Sequence, residues 1–382
     1  MQIVADENIP YAREAFGTLG EVNLRPGRTI TRDDLAQADA LVVRSITKVN
    51  ERLLAGTPVR FVGTSTIGED HVDLAWLRQR GIAFSSAPGC NANSVGEYIV
   101  AALLELAGKH QLQLDTLSLG IVGLGNVGRN VLGKARALGL RCVVNDPPLA
   151  EQTCEPIYRP LEDILQCDIV TFHVPLEKSG PYATWHLVDA AFLARMKPGA
   201  ILLNTSRGPV VDNQALLQAL RTSLLRAAVL DVWEGEPEVD TELLAAVDVA
   251  TPHIAGYSFD GKVNGTVQVY RALCRHLCRP PAWDPAPLLP SPTVPEIALD
   301  PCGVRPLSGA VRQVYDIIKD DAAMRPLGVA PPEQRRALFD QLRKQYPQRR
   351  EFHNTRVLLT HEDQLLRRKL SGIGFQCEVR NA

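Results

Sequence analysis

The sequence predicts an α/β protein: two doubly wound parallel-sheet domains followed by a smaller α/β domain. Three observations predict it. Short apolar runs alternate with helical patterns in two successive series, a glycine-rich strand–turn–helix opens the second series, and a proline-dense break falls near residue 280. At 382 residues the chain is longer than one typical core needs.

In the first series, residues 3–5, 40–44, 61–63 and 82–85 read as strands, and 70–80 is the clearest helix between them. The second series opens with a long helix over 94–109. Strands follow at 118–122, 141–145, 168–172, 200–204, 227–230 and 248–250, with helices at 161–166 and 213–221 among the segments between them. A further helix is predicted over 257–278. Between Pro280 and Pro295, seven of sixteen residues are proline, which excludes a helix or a central strand and reads as an extended linker. The predicted division is therefore 1–92 completed by 257–280, then 93–256, a linker over 281–295, and a separate small domain over 296–382 ending in a strand at 375–379. Val311, Val314, Ile317 and Ile318 in that last segment recur at helical spacing.

A net charge of −2 provides no basic field and argues against nucleic acid as a partner. No apolar run reaches the ~18 residues that span a bilayer, and residues 1–10 lack the pattern of a secretory signal, so a cytoplasmic protein is expected. The eight cysteines form no CxxC pair and no zinc-site spacing; reduced thiols and no metal are the expectation.

The second series carries the chemistry. Gly123, Gly125 and Gly128 form GxGxxG after an apolar strand and at the start of a helix with Val127, Val131 and Ala135 on one face. Such a turn lets backbone N–H groups and the helix dipole approach a pyrophosphate. Asp146 lies 21 residues after Gly125, at the end of the next strand. A carboxylate there accepts from ribose hydroxyls and repels a 2′-phosphate, so NAD is the expected cofactor, bound in a Rossmann domain. Three more strand ends present an arginine, a carboxylate and a histidine: Arg207 in NTSRGPVVD, Glu236 in DVWEGEPE and His253 in TPHIAGYS. Oxidation of a 2-hydroxy acid needs such a set. The imidazole takes the hydroxyl proton, the carboxylate steadies the imidazolium, and the guanidinium forks onto the substrate carboxylate. Taken singly, each residue has a plain structural explanation; three at the strand ends of one nucleotide-binding sheet favour function.

GLGNVG, NTSRGPVVD, EGEPE, TPHIAG and HVP at 173–175 resemble the D-isomer-specific 2-hydroxyacid dehydrogenases over about residues 1–280. The resemblance implies a flavodoxin-like substrate-binding domain before the Rossmann domain, and Arg207, Glu236 and His253 as the catalytic set. It implies NAD contacts from Gly123, Gly125, Asn126, Val127, Gly128, Asp146, Pro175, Thr205, Ser206, Arg207, Asp231 and Gly256. In the first domain, VRSITKVN supplies Arg44, Ser45 and Lys48 after one strand, and Thr66 follows the next; these turns suit an anionic, hydroxyl-bearing substrate, to which Tyr257 adds a phenol. The resemblance further implies a phosphorylated D-2-hydroxy acid as the substrate and a dimerisation role for the segment after the linker. Another phosphorylated acid such as 3-phosphoglycerate, or a non-catalytic NAD-sensing regulator, are the alternatives.

Overall fold

A computed structural model describes residues 1–380, which fall into two units: Met1–Asn91 with Ser258–Ser291, and Ala92–Tyr257 with the chain from Pro292 onward. The first holds β1 (Gln2–Asp6), β2 (Glu21–Arg25), β3 (Ala40–Val43), β4 (Phe61–Thr64) and β5 (Ala83–Ser85), parallel throughout and ordered β2-β1-β3-β4-β5. This is the flavodoxin-like order. β3 and β4 are buried along their whole length, as strands covered on both faces must be, and therefore read as continuous apolar runs. β2 was not anticipated. It is an edge strand with only Val22 buried, so its sequence carries little apolar signal. The helix Phe259–His276 buries Val269, Tyr270 and Leu273 against Ile3, Val42 and Phe61. The Tyr270 hydroxyl accepts from the backbone N–H of Ala282 (2.8 Å) and Trp283 (3.1 Å), so the start of the proline-rich stretch is fastened to this unit.

The second unit holds β6 (Ser118–Val122), β7 (Arg141–Asn145), β8 (Ile169–Phe172), β9 (Ala200–Asn204), β10 (Leu225–Leu230) and β11 (Val249–Ala250), ordered β11-β10-β9-β8-β6-β7. An isolated parallel bridge, Val144 to Tyr158, continues the sheet beyond β7. With that bridge as a third strand, the order is that of a dinucleotide-binding domain, and the chain switches sides at β6. The glycine turn leaves the carboxyl end of β6, where such sheets bind ligands.

The last segment forms β12 (Glu296–Leu299), β13 (Arg356–Leu359) and β14 (Gln376–Val379), parallel and in that order. It was expected to be a separate domain. It differs in sharing the core of the nucleotide-binding sheet: Ile297, Val311, Phe352, Leu359 and Leu370 are buried in one cluster with Tyr98, Leu132, Ala135 and Leu138. Val311 and Ile317, read from sequence as an apolar face, are buried in that same cluster. Polar ties reinforce the joint. Glu97, fully buried in the helix Ala92–Lys109, accepts from Arg349 Nη1 (2.7 Å) and the Phe352 backbone N–H (2.7 Å), and Lys134 donates to the Ile373 carbonyl (2.5 Å).

Candidate active site

The glycines of the turn have different jobs. Gly123 takes φ +91°, and a Cβ there would lie 2.5 Å from the His173 carbonyl oxygen. A Cβ on Gly128 would lie 2.0 Å from the Gly123 carbonyl oxygen, so glycine lets the helix Asn126–Leu138 close on the strand. Gly125 answers to neither demand. Its backbone is extended, a Cβ would meet nothing within 4 Å, and it caps the helix without a side-chain hydrogen bond. The fold itself does not require glycine there; a ligand that must approach the backbone does. Asn126 and Val127 open the helix beside it. The Asp146 carboxylate accepts from Leu124 N–H (2.7 Å) and Leu149 N–H (3.0 Å), which fastens it between the turn and the next helix. One lone pair on each oxygen remains for ribose hydroxyls. This donor and acceptor set fits NAD.

At the end of β8, His173 meets Thr171 Oγ1 (3.0 Å) through Nε2 and Thr205 Oγ1 (3.4 Å) through Nδ1. The surrounding protein pushes its pKa down to about 3, so the ring stays neutral. Two residues on, the Pro175 carbonyl accepts from Thr184 Oγ1 (2.6 Å). After β9, the Asn204 side chain shapes the next turn: its Oδ1 accepts from Ser206 N–H (3.1 Å) and Oγ (2.9 Å), and its Nδ2 donates to the Arg207 carbonyl (2.9 Å). Arg207 Nη1 donates to the Ser206 carbonyl (2.8 Å). A Cβ on the next residue, Gly208, would lie 2.0 Å from the Trp233 carbonyl oxygen, so the Arg207 turn rests backbone-to-backbone on the loop that carries Glu236.

After β10 and β11 come Glu236 and His253. His253 Nδ1 and Glu236 Oε1 are 2.5 Å apart. Burial raises the Glu236 pKa, but the positive charges of His253 and Arg343 and the hydrogen bond from His253 outweigh it, and the carboxylate is held below its ordinary value. His253 has φ +58°, a left-handed backbone rare for a non-glycine residue. Asp231 enforces it. Its carbonyl accepts from His253 N–H (2.7 Å), and its carboxylate from Ile254 N–H (2.7 Å), Ala255 N–H (2.9 Å) and Thr251 Oγ1 (2.6 Å). Asp231 is 1% exposed, and burial raises its pKa. Expected from sequence at the cofactor, it also braces the histidine loop, a role the sequence reading missed. Gly256 and Tyr257 follow on that loop. Tyr257 packs edge-on against Tyr346 (5.8 Å between centroids) and lies under the Arg343 guanidinium (5.7 Å). Neither partner was anticipated, because both come from the C-terminal segment.

In the first unit, Arg44, Ser45 and Lys48 form the turn after β3, and Thr66 follows β4, its neighbour in the sheet. Ser45 and Lys48 are exposed, and Arg44 is half-buried. The Thr66 hydroxyl meets Thr64 Oγ1 (2.8 Å), which in turn meets His71 Nε2 (3.1 Å).

A glycine turn at a sheet switch point, an aspartate after the next strand and a carboxylate-held histidine define an NAD-dependent dehydrogenase of the 2-hydroxyacid class. Residues 104–255 match the D-isomer specific 2-hydroxyacid dehydrogenase NAD binding domain, and residues 288–374 match a domain of unknown function. Among solved structures, a Thermus thermophilus protein is 28% identical with a TM-score of 0.62, over 74% of this chain and 99% of its own. The NAD-bound 3-phosphoglycerate dehydrogenase of Entamoeba histolytica is 23% identical, TM-score 0.62, over 73% and 95%. The erythronate-4-phosphate dehydrogenase of Serratia proteamaculans strain 568 is 50% identical over 94% of this chain and 95% of its own, and that of Salmonella typhimurium LT2 is 48% identical over 98% of both. The chain belongs to the erythronate-4-phosphate dehydrogenase family, within the D-isomer specific 2-hydroxyacid dehydrogenases.

Proposed function

We propose that the protein oxidises 4-phospho-D-erythronate at its 2-hydroxyl to 2-oxo-3-hydroxy-4-phosphobutanoate, a step toward pyridoxal 5′-phosphate. The observation that carries the substrate is 48–50% identity to the two relatives above over nearly the whole length of both chains, C-terminal segment included. The Glu236–His253 pair supports the reaction. In it, His253 accepts the hydroxyl proton on Nε2, since Nδ1 is committed to Glu236. Ionised Glu236 stabilises the imidazolium that forms. Arg207 binds the substrate carboxylate and turns C2 toward the cofactor. NAD, when bound over Gly125 with its ribose at Asp146, supplies the hydride acceptor. Asn126, Val127, Pro175, Thr205, Ser206, Asp231 and Gly256 are assigned to its contacts, and Arg44, Ser45, Lys48, Thr66 and Tyr257 to the substrate.

The protein is further proposed to be a cytoplasmic homodimer. Among the described residues no helix is long and apolar enough to cross a membrane. NADH formation against a panel of 2-hydroxy acids, 4-phospho-D-erythronate and 3-phosphoglycerate among them, tests the substrate; faster turnover of any other acid overturns it. Light scattering of the full chain tests the dimer.

A further inference from the structure

The C-terminal segment does more than share a core. Its helix Pro332–Lys344 ends beside the catalytic loops, and Arg343 is the residue that reaches them. The guanidinium carbon lies 5.7 Å from the Tyr257 ring centroid and 6.0 Å from that of Phe339, so the planar group sits between a ring of its own helix and one on the His253 loop. Its charge also acts on Glu236 and on Asp231. The Thermus structure, matched over 99% of its own length, leaves about a quarter of this chain without a counterpart. A chain of this fold is thus complete at about three quarters of this length, whereas here the C-terminal segment brings the Arg343 charge to bear on Glu236.

We propose that Arg343 is a positioning residue of the dehydrogenase reaction: it fixes Tyr257 on the His253 loop and faces Glu236 with a second positive charge beside that of the imidazolium. The proposal rests on the dehydrogenase reading of the Glu236–His253 pair. Glu236 serves His253 only as a carboxylate, and burial works against that state; Arg343 opposes burial. The other titratable groups around the pair are Asp231 and Tyr257, with Tyr98 and Asp320 behind Asp231. Of these groups, Arg343 is the permanent cation.

The sign of the effect follows. Removing a positive charge raises the pH at which Glu236 holds its proton, so the acidic limb of the kcat–pH profile moves upward. The test compares wild type, Arg343→Met and Arg343→Lys, using whichever 2-hydroxy acid the wild type oxidises; a wrong substrate assignment then leaves the test intact. In Arg343→Met the acidic limb shifts up by about one pH unit, a typical effect of one neighbouring charge. NAD affinity and melting temperature stay close to wild type. Arg343→Lys, which keeps the charge, restores the limb. Superimposable profiles for wild type and Arg343→Met overturn the proposal, as does Arg343→Lys behaving like Arg343→Met, which marks a role in packing alone. If Arg343→Met does not fold, Tyr257→Leu removes the ring under the guanidinium; a kcat equal to wild type in that variant overturns the positioning of Tyr257, and Arg343→Lys with a shifted limb overturns the charge.

Discussion

Gly125→Ala separates what the fold needs from what the cofactor needs. The residue is extended at φ −69° and a Cβ there meets no atom within 4 Å, so the apo fold accepts the methyl. An N-cap change from glycine to alanine costs only some tenths of a kcal/mol, and the stiffer unfolded chain returns a similar amount. Stability of the apo protein therefore stays within about 0.5 kcal/mol of wild type. NAD binding does not. The methyl stands where the pyrophosphate must approach the helix N-terminus, and losing one charge-assisted hydrogen bond there costs about 1.5–3 kcal/mol, or roughly 10- to 150-fold in Kd. Thermal unfolding with and without NAD, alongside a direct titration, measures both. In wild type, NAD at a hundred times Kd adds about 2.7 kcal/mol, and in Gly125→Ala at the same NAD concentration about half or more of that gain disappears. Gly128→Ala is the contrast: its Cβ would lie 2.0 Å from a backbone oxygen, so the apo protein itself is destabilised by about 1–3 kcal/mol. A Gly125→Ala protein that binds NAD as tightly as wild type would refute the placement of the pyrophosphate over this turn. One that melts as low as Gly128→Ala would refute the reading of open space.

Three further outcomes are expected. His253→Ala lowers kcat by about two or more orders of magnitude with NAD affinity nearly unchanged, measured by steady-state NADH formation and cofactor titration. Asp146→Ala weakens NAD and narrows its preference over NADP; because the carboxylate also ties the glycine turn to the next helix, its melting temperature falls as well, whereas equal NAD/NADP ratios would remove Asp146 as the selector. His173 has a folded-state pKa near 3 against an ordinary value of 6.5, so the unfolded chain takes up the proton first and stability declines as pH falls below about 6.5. Urea unfolding of His173→Asn at pH 6.5 and 5 shows a shallower decline than wild type, by up to about 1 kcal/mol per pH unit; parallel slopes would place the acid sensitivity elsewhere.

What the sequence revealed follows the range over which each feature is determined. β6, β7, β9 and the helix Asn213–Arg221 fall at the expected residues, because each is a compact apolar pattern bounded by its own turn or cap. β2, β12 and β13 were missed. Each has four or five residues with only one or two of them buried, and each becomes a strand by pairing, β12 with residues some sixty positions away. The site divides in the same way. Arg207, Glu236 and His253 were legible because strand ends and residue types locate them. The brace from Asp231 to the histidine loop was not, since an aspartate after a strand reads equally as a ligand contact. Arg343 left no local mark at all: in QLRKQY it is one basic residue among several, and its meaning comes from Tyr257 and Glu236, about a hundred residues earlier in the chain.

The shared core of the C-terminal segment has the same root. An apolar face at helical spacing states that a surface is covered, not what covers it. Val311 and Ile317 serve a self-contained domain, a dimer contact or an intramolecular joint equally well by pattern. In this chain the joint takes them, and its polar ties explain why it holds its register. The Glu97 carboxylate has no exposure and accepts from Arg349 Nη1 and from Phe352 N–H on the far segment. A slip of one turn would leave the buried Arg349 guanidinium without its partners, at a cost of several kcal/mol. That fixed register is what brings the end of the helix Pro332–Lys344, and Arg343 with it, against Tyr257. The C-terminal segment is thereby joined to the helix Ala92–Lys109 through Glu97 and Arg349, and the proposed role of Arg343 depends on the integrity of that joint.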